Sequence, residues 1–277
     1  MLADVTPYLA CPHCAATLTV AGQQLRCAAG HAFDVARQGY VTLLAAPTSL
    51  RGDTADMVTA RAAFLDAGHY RPIAEAITAA ASGAGCVAGC VVDVGAGTGH
   101  YLAQVLDADP RRVGIALEIS KPALRRAARA HPRLGAVGCD VWAPLPVRDA
   151  AISVALNVFA PRNPAELARV VAPGGTLVVV TPTEAHLAGL VAGLGLLTVP
   201  PDKHRQVTAA LAGPFEPSTR DVVEFGLELL HDDVLSLVGM GPSAWHVGAQ
   251  VLRERVLALP EPVRVTVSVL VAGYGRT

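Results

Sequence analysis

The chain has 277 residues, of which 52% are hydrophobic, 16% charged and only 4% aromatic, and its formal net charge is −1. This composition excludes a disordered chain, and a core of Ala, Val and Leu suits buried parallel strands covered by helices. The near-zero charge excludes the broad positive field of many nucleic-acid-binding proteins, although it is compatible with a local basic patch.

Two features concern location. The longest uncharged apolar stretch, residues 187–200, is interrupted by glycines and is shorter than the roughly 20 residues needed to cross a bilayer. The first ten residues lack the basic start and apolar run of a secretory signal. We therefore expect a soluble cytoplasmic protein with no membrane partner and with reduced cysteines, and we interpret Cys86, Cys90 and Cys139 as core residues.

The first motif along the chain has the spacing of a metal site. Cys11 and Cys14 are followed after twelve residues by Cys27 and, after three more, by His31. Two close pairs separated by a hairpin-sized loop predict that three thiolates and one imidazole bind Zn(II) tetrahedrally, and four protein ligands make the site structural rather than catalytic. His13 is a rival ligand that the spacing disfavours. The alternative to metal binding is that the cysteines are buried as small hydrophobes.

A connector follows, in which Asp53 or Thr54 can cap a helix that runs through Leu65. Beyond it, strand patterns at 90–94, 113–119, 135–139, 151–157 and 176–181 alternate with helical patterns at 101–107, 122–131, 166–171 and 187–194. This alternation predicts an α/β fold with a doubly wound parallel sheet, and strand patterns at 222–230 and 263–274 predict antiparallel strands at one edge. The predicted domains are residues 1–45 (zinc module), 46–85 (helical connector) and 86–277 (sheet domain).

The second motif, VVDVGAGTGH at residues 91–100, is a buried strand that runs into a glycine turn and a helix. Glycines allow a sharp turn and a close approach to a ligand at the carboxyl edge of the sheet. The candidate cofactor residues here are Asp93, Gly95, Gly97 and Gly99. A dinucleotide fingerprint needs Gly or Ala where His100 stands, so NAD is disfavoured. The strand-Asp-x-Gly-x-Gly-x-Gly form resembles motif I of class I methyltransferases.

Polar residues end the next three strands. Glu118 lies about twenty residues past the glycine loop, where a carboxylate can accept both ribose hydroxyl hydrogens. Asp140 follows the third strand, where methyltransferases contact the adenine amino group. Asn157 closes the fourth strand, where this fold presents groups to the methyl acceptor, and it is our candidate catalytic residue. Each alone is equally a solvated strand end or turn cap, but the series predicts S-adenosylmethionine binding.

Longer segments resemble one family over nearly the whole chain, the 23S ribosomal RNA guanine-N1 methyltransferases of the RlmA type. Within it, ALNVFAPRNP (155–164) is more similar to the actinobacterial branch that confers resistance to tylosin-type macrolides. The family resemblance rests on FDVARQGYVTLL (33–44), GDT (52–54), RAAFLDAGHY (61–70), SKP (120–122), ELARVVAPGG (166–175), TP and HL (181–182 and 186–187) and MGPSAW (240–245).

The resemblance implies methyl transfer to N1 of a guanine in a 23S ribosomal RNA hairpin that lines the peptide exit tunnel. It also implies that the zinc module helps to hold RNA, and that Tyr70, Gly97, Thr98 and His186 contact the cofactor. Guanine N1 lies on the Watson–Crick edge, so the base must be unpaired or splayed into a pocket. No general base is assigned, because His100 begins a helix and Asp140 is expected at the adenine.

RNA binding needs cations. The preferred candidates flank the zinc module, at Arg26, Arg37, Arg51 and Arg61, and a denser cluster follows the second strand, at Lys121, Arg125, Arg126, Arg129 and Arg133. A solvated helix face explains the second cluster equally well. Two other functions stay open, a methyltransferase of the same fold that acts on a small metabolite and a zinc-containing nucleic-acid-binding module with a vestigial cofactor pocket. The sequence also leaves open whether the chain is a monomer or a homodimer.

Overall fold

The structure is a computed structural model that describes residues 2–46, 48, 50, 52–83, 89–196, 200, 202–241 and 248–277. A small sheet near the N-terminus contains β1 (Leu18–Ala21), β2 (Gln24–Cys27) and β3 (Ala32–Asp34). The strands of the large sheet are β4 (Val41–Thr42), β5 (Cys90–Val94), β6 (Val113–Glu118), β7 (Leu134–Gly138), β8 (Ile152–Val158), β9 (Val171–Pro182), β10 (Phe215–Leu229) and β11 (Val263–Arg276).

The described helices surround the large sheet. They are α1 (Leu2–Val5), a 3-10 helix (Thr6–Tyr8), α2 (Ala55–Asp66), α3 (Arg71–Ala81), α4 (His100–Ala108), α5 (Lys121–Ala130), α6 (Pro164–Val170), α7 (Ala188–Leu194), α8 (Lys203–Leu211), α9 (His231–Gly239) and α10 (Ala249–Leu257). Among the described residues, no helix combines the length and apolar character needed to cross a bilayer.

The large sheet has the strand order β10-β11-β9-β8-β5-β6-β7-β4. Strands β4 to β9 pair in parallel, whereas β11 pairs antiparallel with both β9 and β10. The predicted α/β fold with antiparallel strands at one edge is therefore confirmed. Strand β5 lies between β6 and β8, so the winding direction reverses there, and ligands of doubly wound sheets bind outside the carboxyl end of such a strand.

Local sequence explains where the helices near this edge begin. Thr54 is the N-cap of α2, and its hydroxyl accepts the backbone N–H of Met57 at 3.3 Å, as the sequence predicts. Ser120 caps α5 in the same way, with Pro122 in the first turn, where a missing N–H costs nothing.

The zinc module packs against the sheet. β4 pairs with β7, and Leu9 forms a bridge with Val147. Val5 of α1 fills the space that a side chain at Gly135 would need. The division at residue 45 stays a prediction, because both regions contribute side chains to one apolar cluster. α1, β4, α8 and α10 are elements that the sequence patterns did not indicate.

Three cysteines lie outside the metal motif. Cys90 and Cys139 are buried within the same apolar cluster, as predicted, and burial raises the pKa of both thiols. Cys86 lies outside the described residues.

Candidate functional site

The four predicted metal ligands converge at the N-terminal sheet. Their ligand atoms, three sulfurs and one ring nitrogen, all lie within 4.8 Å of one another, in Cys11, Cys14, Cys27 and His31. Cys27 ends β2, and the Cys27 backbone N–H donates to the His31 carbonyl at 3.1 Å. The tight turn between Cys27 and His31 therefore brings these two ligands to the same side as the first pair.

The separations fit a zinc ion. The Cys14 and Cys27 sulfurs are 3.7 Å apart, and Nδ1 of His31 is 3.5 Å from the Cys11 sulfur and 3.4 Å from the Cys27 sulfur. A tetrahedral ion with Zn–S bonds of about 2.3 Å and Zn–N bonds of about 2.0 Å requires separations of about 3.8 and 3.5 Å. His13 lies beside His31 with ring centroids 4.9 Å apart and the rings tilted by 45°, but it is not among the grouped ligands.

The glycine loop follows β5 at the switch point. Gly95, Gly97 and Gly99 all have positive φ, and a side chain at Gly95 would collide with Ala160. The backbone N–H groups of Gly95 and Ala96 donate to the carbonyl of Leu117, which fixes the loop against the end of β6. The loop thus presents bare backbone at the carboxyl edge, as the sequence predicts for a cofactor site.

Glu118 and Asp140 end neighbouring strands at the same edge. Glu118 Oε2 accepts the Gly97 backbone N–H at 2.9 Å, and its Oε1 accepts the N–H groups of Ile119 and Ser120. Burial raises the pKa of Glu118, whereas these three N–H donors oppose the rise. Asp140 Oδ1 accepts the Trp142 N–H at 2.8 Å. Both carboxylates therefore lie at the carboxyl edge of the sheet, Glu118 in contact with the loop. Their contact with ribose and adenine stays a prediction.

Asp93 is the residue whose environment most favours a ligand. It is 1% exposed, and its Oδ1 has no hydrogen-bond partner among the described residues. Burial, together with the charge of Glu118, raises the pKa of Asp93 to about 7. Asp93, Gly95, Thr98 and Tyr70 line a cavity of about 40 Å³. An unpaired buried carboxyl group beside bare backbone fits a ligand that presents a hydrogen-bond donor such as an ammonium group.

Comparison with known proteins agrees with this geometry. Residues 9–48 match the zinc-ribbon family model described as RlmA, N-terminal. The chain is 52% identical to the 23S rRNA (guanine(748)-N(1))-methyltransferase of Streptomyces fradiae, over 97% of each protein. It is 51% identical, over 98% of each protein, to a Micromonospora griseorubida protein named as a 23S rRNA (guanine-N(1)-)-methyltransferase. The chain belongs to the 23S rRNA guanine-N1 methyltransferase family.

Membership in this family confirms the predicted enzyme class and the predicted cofactors, S-adenosylmethionine and Zn(II). A solved structure supports the fold alone. A chain from the complex between the Haloferax volcanii Trm112 methyltransferase activator and a methyltransferase superposes with a TM-score of 0.52 at 17% identity, covering 82% of this chain and 99% of that chain. The class I methyltransferase fold with an N-terminal zinc ribbon is therefore confirmed.

A second, larger cavity of this methyltransferase, about 740 Å³, adjoins the small one. Four residues line both cavities, namely Arg61, Tyr70, Phe159 and Met240. The larger cavity also contains Trp142 and the apolar side chains of α7. Its volume suits a small organic ligand, and a nucleobase is of that size. Because the two cavities share these residues, any occupant of the larger cavity lies next to the cavity of about 40 Å³.

Tyr70 and His186, which the family resemblance assigns to the cofactor, meet at the junction of the two cavities. Their ring centroids are 6.3 Å apart, and His186 also stacks near Phe159 at 6.1 Å with an interplanar angle of 29°. Burial raises the pKa of the Tyr70 phenol and lowers the pKa of His186 to about 4. Both side chains are therefore neutral at physiological pH. Their contact with the cofactor stays a prediction.

Asn157, the candidate catalytic residue, is fully buried. Its Nδ2 donates to the carbonyls of Val94 and Pro161, and its Oδ1 accepts the Nε–H of Arg162 at 2.9 Å. A direct contact with the methyl acceptor stays a prediction. The hydrogen bonds themselves give Asn157 a positioning role, because they join the end of β5 to the loop after β8.

The predicted RNA-contact arginines differ in their surroundings. Arg125, Arg126 and Arg129 line an open cleft together with acidic Asp66 and Asp107, so its charge is mixed. The guanidinium of Arg133 donates to backbone carbonyls near the end of α4 and has a structural role.

Of the arginines near the zinc module, Arg51 lies outside the described residues, and Arg26 donates to the side chain of Gln24. Arg61 lines the cavity of about 40 Å³ and does not lie on the surface of the zinc module. Sequence reasoning did not select Arg61 or Phe159 for the methyl-transfer site. The only sequence signal for either was its place within a family segment.

Proposed function

We propose that this protein transfers a methyl group from S-adenosylmethionine to N1 of a guanine in the 23S ribosomal RNA hairpin that lines the peptide exit tunnel. The observation that carries the proposal is the larger cavity, which shares Tyr70 and Phe159 with the cofactor cavity. A flipped base placed there has its Watson–Crick edge beside the cofactor end that carries the methyl group. The names of the relatives support the same acceptor atom.

S-adenosylmethionine, when bound, supplies an electrophilic methyl group, and the residues of this chain position the acceptor. Phe159 is 39% exposed and offers a face on which a base can stack. His186 is neutral and can donate a hydrogen bond into the larger cavity. Alignment of N1 with the methyl group supplies acceleration through proximity. The proton on N1 must leave during transfer, and we assign no base to accept it.

The zinc module supplies the second part of the proposal, a surface that holds the RNA. It packs on the sheet through β4, next to β7, and so lies on the side of the cofactor edge that carries Asp140. Arg26 and Arg37 belong to this module. By its resemblance to the tylosin-resistance branch, we propose that methylation by this protein confers resistance to tylosin-type macrolides. A protein that acts on this RNA works in the cytoplasm, where ribosomes assemble.

The test uses purified full-length protein, tritiated S-adenosylmethionine and 23S ribosomal RNA that lacks the modification. N1-methylguanine cannot form a Watson–Crick pair, so primer extension should stop one nucleotide before the modified base. We expect incorporation of one methyl group per RNA and a single stop in the exit-tunnel hairpin, with neither for Asp93→Asn. Label only in small metabolites, or a stop elsewhere, would contradict the proposal. Light scattering on the same sample separates a monomer from a homodimer.

A further inference from the structure

Two buried polar atoms without hydrogen-bond partners belong to residues that line the same small cavity. Among the described residues, Asp93 Oδ1 and Arg61 Nε both lack a hydrogen-bond partner, and both residues line the cavity of about 40 Å³. A buried polar atom left without a partner lowers stability, and more so when the group is charged. An acceptor and a donor of opposite charge therefore remain unsatisfied on the walls of one cavity.

The rest of the Arg61 guanidinium is held firmly. Its Nη2 donates to Asp53 Oδ2 at 2.6 Å and to the carbonyl of Met240 at 2.9 Å. Arg61 also lies against the glycine loop, because a side chain on Gly97 would meet the Arg61 Cδ at 3.6 Å. The Nε–H thus has a fixed place above the loop without bonding to it.

The opposite charges of Arg61 and Asp93 determine which ligand the small cavity can bind. A phosphate or simple carboxylate would satisfy Arg61 but would be repelled by Asp93, and a simple amine would do the reverse. A group with an ammonium and a carboxylate attached to one carbon can satisfy both Asp93 and Arg61. The cavity, about 40 Å³, is far too small for a nucleoside, so only the charged end of such a ligand can face Arg61 and Asp93 while its nucleoside lies outside, toward Glu118 and Asp140.

We propose that Arg61 Nε binds the carboxylate, and Asp93 Oδ1 the ammonium, of the methionine end of S-adenosylmethionine. This inference rests on the proposed function only in taking S-adenosylmethionine as the ligand. It makes Arg61 a cofactor-binding residue supplied by α2, a helix that the sequence assigns to a connector. Asp53 and Met240 then act as positioning residues that hold the guanidinium in place.

The test compares three ligands that share one nucleoside, by calorimetry on the full-length protein. S-adenosylmethionine has both charged groups, decarboxylated S-adenosylmethionine keeps only the ammonium, and 5′-methylthioadenosine has neither. We expect Arg61→Gln to weaken S-adenosylmethionine binding about 10- to 100-fold, as loss of a charge-assisted hydrogen bond does, and to leave both other affinities within twofold. Asp93→Asn should weaken the first two ligands and spare the third.

Arg61→Lys keeps the charge and should weaken S-adenosylmethionine binding less than Arg61→Gln, which guards against a purely structural effect. Arg71→Gln is the matched control, because Arg71 is exposed on α3 and, within the described part of the chain, its side chain pairs with Glu75. An equal loss for all three ligands in Arg61→Gln, or no loss for S-adenosylmethionine, would overturn the inference. If the parent protein bound none of the ligands, the proposed function itself would fail.

Discussion

Nδ1 of His186 accepts the backbone N–H of Ser268 at 3.3 Å. A neutral imidazole has one donor and one acceptor nitrogen, so this bond places the ring proton on Nε2. Burial lowers the pKa of His186 to about 4, and the ring therefore stays neutral throughout the physiological range. His186 lines the larger cavity as a hydrogen-bond donor and has no free nitrogen lone pair with which to accept the guanine proton.

This tautomer predicts the behaviour of two substitutions. His186→Gln replaces Nε2–H with an amide N–H at a similar distance from the backbone, whereas His186→Phe removes the donor. We expect His186→Phe to lower the methylation rate about tenfold, from the loss of one buried hydrogen bond, and His186→Gln to lower it less. Rates are measured at pH 6 to 8 with the unmodified RNA. A titration near pH 6.5 that disappears in His186→Gln would show that His186 acts as a base and contradict the assignment.

Asp93→Asn is expected to stabilise the ligand-free protein. The pKa of Asp93 is raised to about 7, against about 3.9 for an unfolded aspartate. Between these values the folded state binds the additional proton, so the cost of the buried carboxylate is absent near pH 4, grows as the pH rises and is complete above pH 7. Guanidinium unfolding should show Asp93→Asn more stable than the parent at pH 8, by at most about 4 kcal/mol, and less so at pH 5.

The matched control for this prediction is Asp221→Asn, which changes an exposed carboxyl group on β10. It should alter the free energy of unfolding by less than about 0.5 kcal/mol at either pH. Stabilisation by Asp93→Asn that is the same at pH 5 and pH 8 would mean that ionisation of the buried carboxyl group is not its cause.

The metal site gives a third prediction. Cys11→Ser should release zinc, measured as metal per mole of protein, and should increase amide hydrogen exchange in residues 9–43, because Cys11 packs with Leu9, Leu18 and Leu25 in the apolar cluster. Cys90→Ala serves as the control, since Cys90 is buried in β5 away from the ligands and should keep its zinc. Retention of zinc in Cys11→Ser would refute the ligand assignment. Zinc loss in His13→Ala, with retention in His31→Ala, would favour the rival histidine.

Phe159 has a φ of 53°, which is rare for a bulky residue because its Cβ crowds the following carbonyl. We expect Phe159→Gly to be more stable than Phe159→Ala by about 1 kcal/mol. Glycine has no Cβ and adopts a positive φ without strain, whereas the Cβ of alanine keeps the steric strain. Both variants should methylate RNA more slowly, because both remove the stacking face, while S-adenosylmethionine affinity changes less. Thermal unfolding and methylation rates test this. A Phe159→Ala protein of full activity would exclude a role in base stacking.

The sequence predicts the elements that depend on local pattern. The run from β5 through the glycine loop to α4 agrees with the structure almost residue for residue, because an apolar strand, three glycines and a helical pattern are adjacent in the chain. A helix cap at Asp53 or Thr54 was predicted for the same reason, and the structure has Thr54 in that position. The zinc ligands were also predicted from spacing alone, since a short hairpin leaves little freedom in where they meet.

Features that depend on distant contacts were not predicted. β10 begins at Phe215, well before the predicted residue 222, because its polar first half is stabilised by pairing with β11 and not by its own composition. Arg61 seemed a surface cation from its position near the zinc module. In the structure, Arg61 donates to the carbonyl of Met240 and lies against the glycine loop, and these long-range contacts place it at the cavity of about 40 Å³.

The pairing of β4 with β7 connects the N-terminal region that holds the zinc ligands to the carboxyl edge of the large sheet. The Leu43 backbone N–H, just after β4, donates to Gly138 at the end of β7, and the Cys139 N–H donates to the carbonyl of Glu118. A run of backbone hydrogen bonds therefore leads from the end of β4 across the end of β7 to Glu118, so loss of the metal should loosen this edge of the large sheet as well as the metal-binding hairpin.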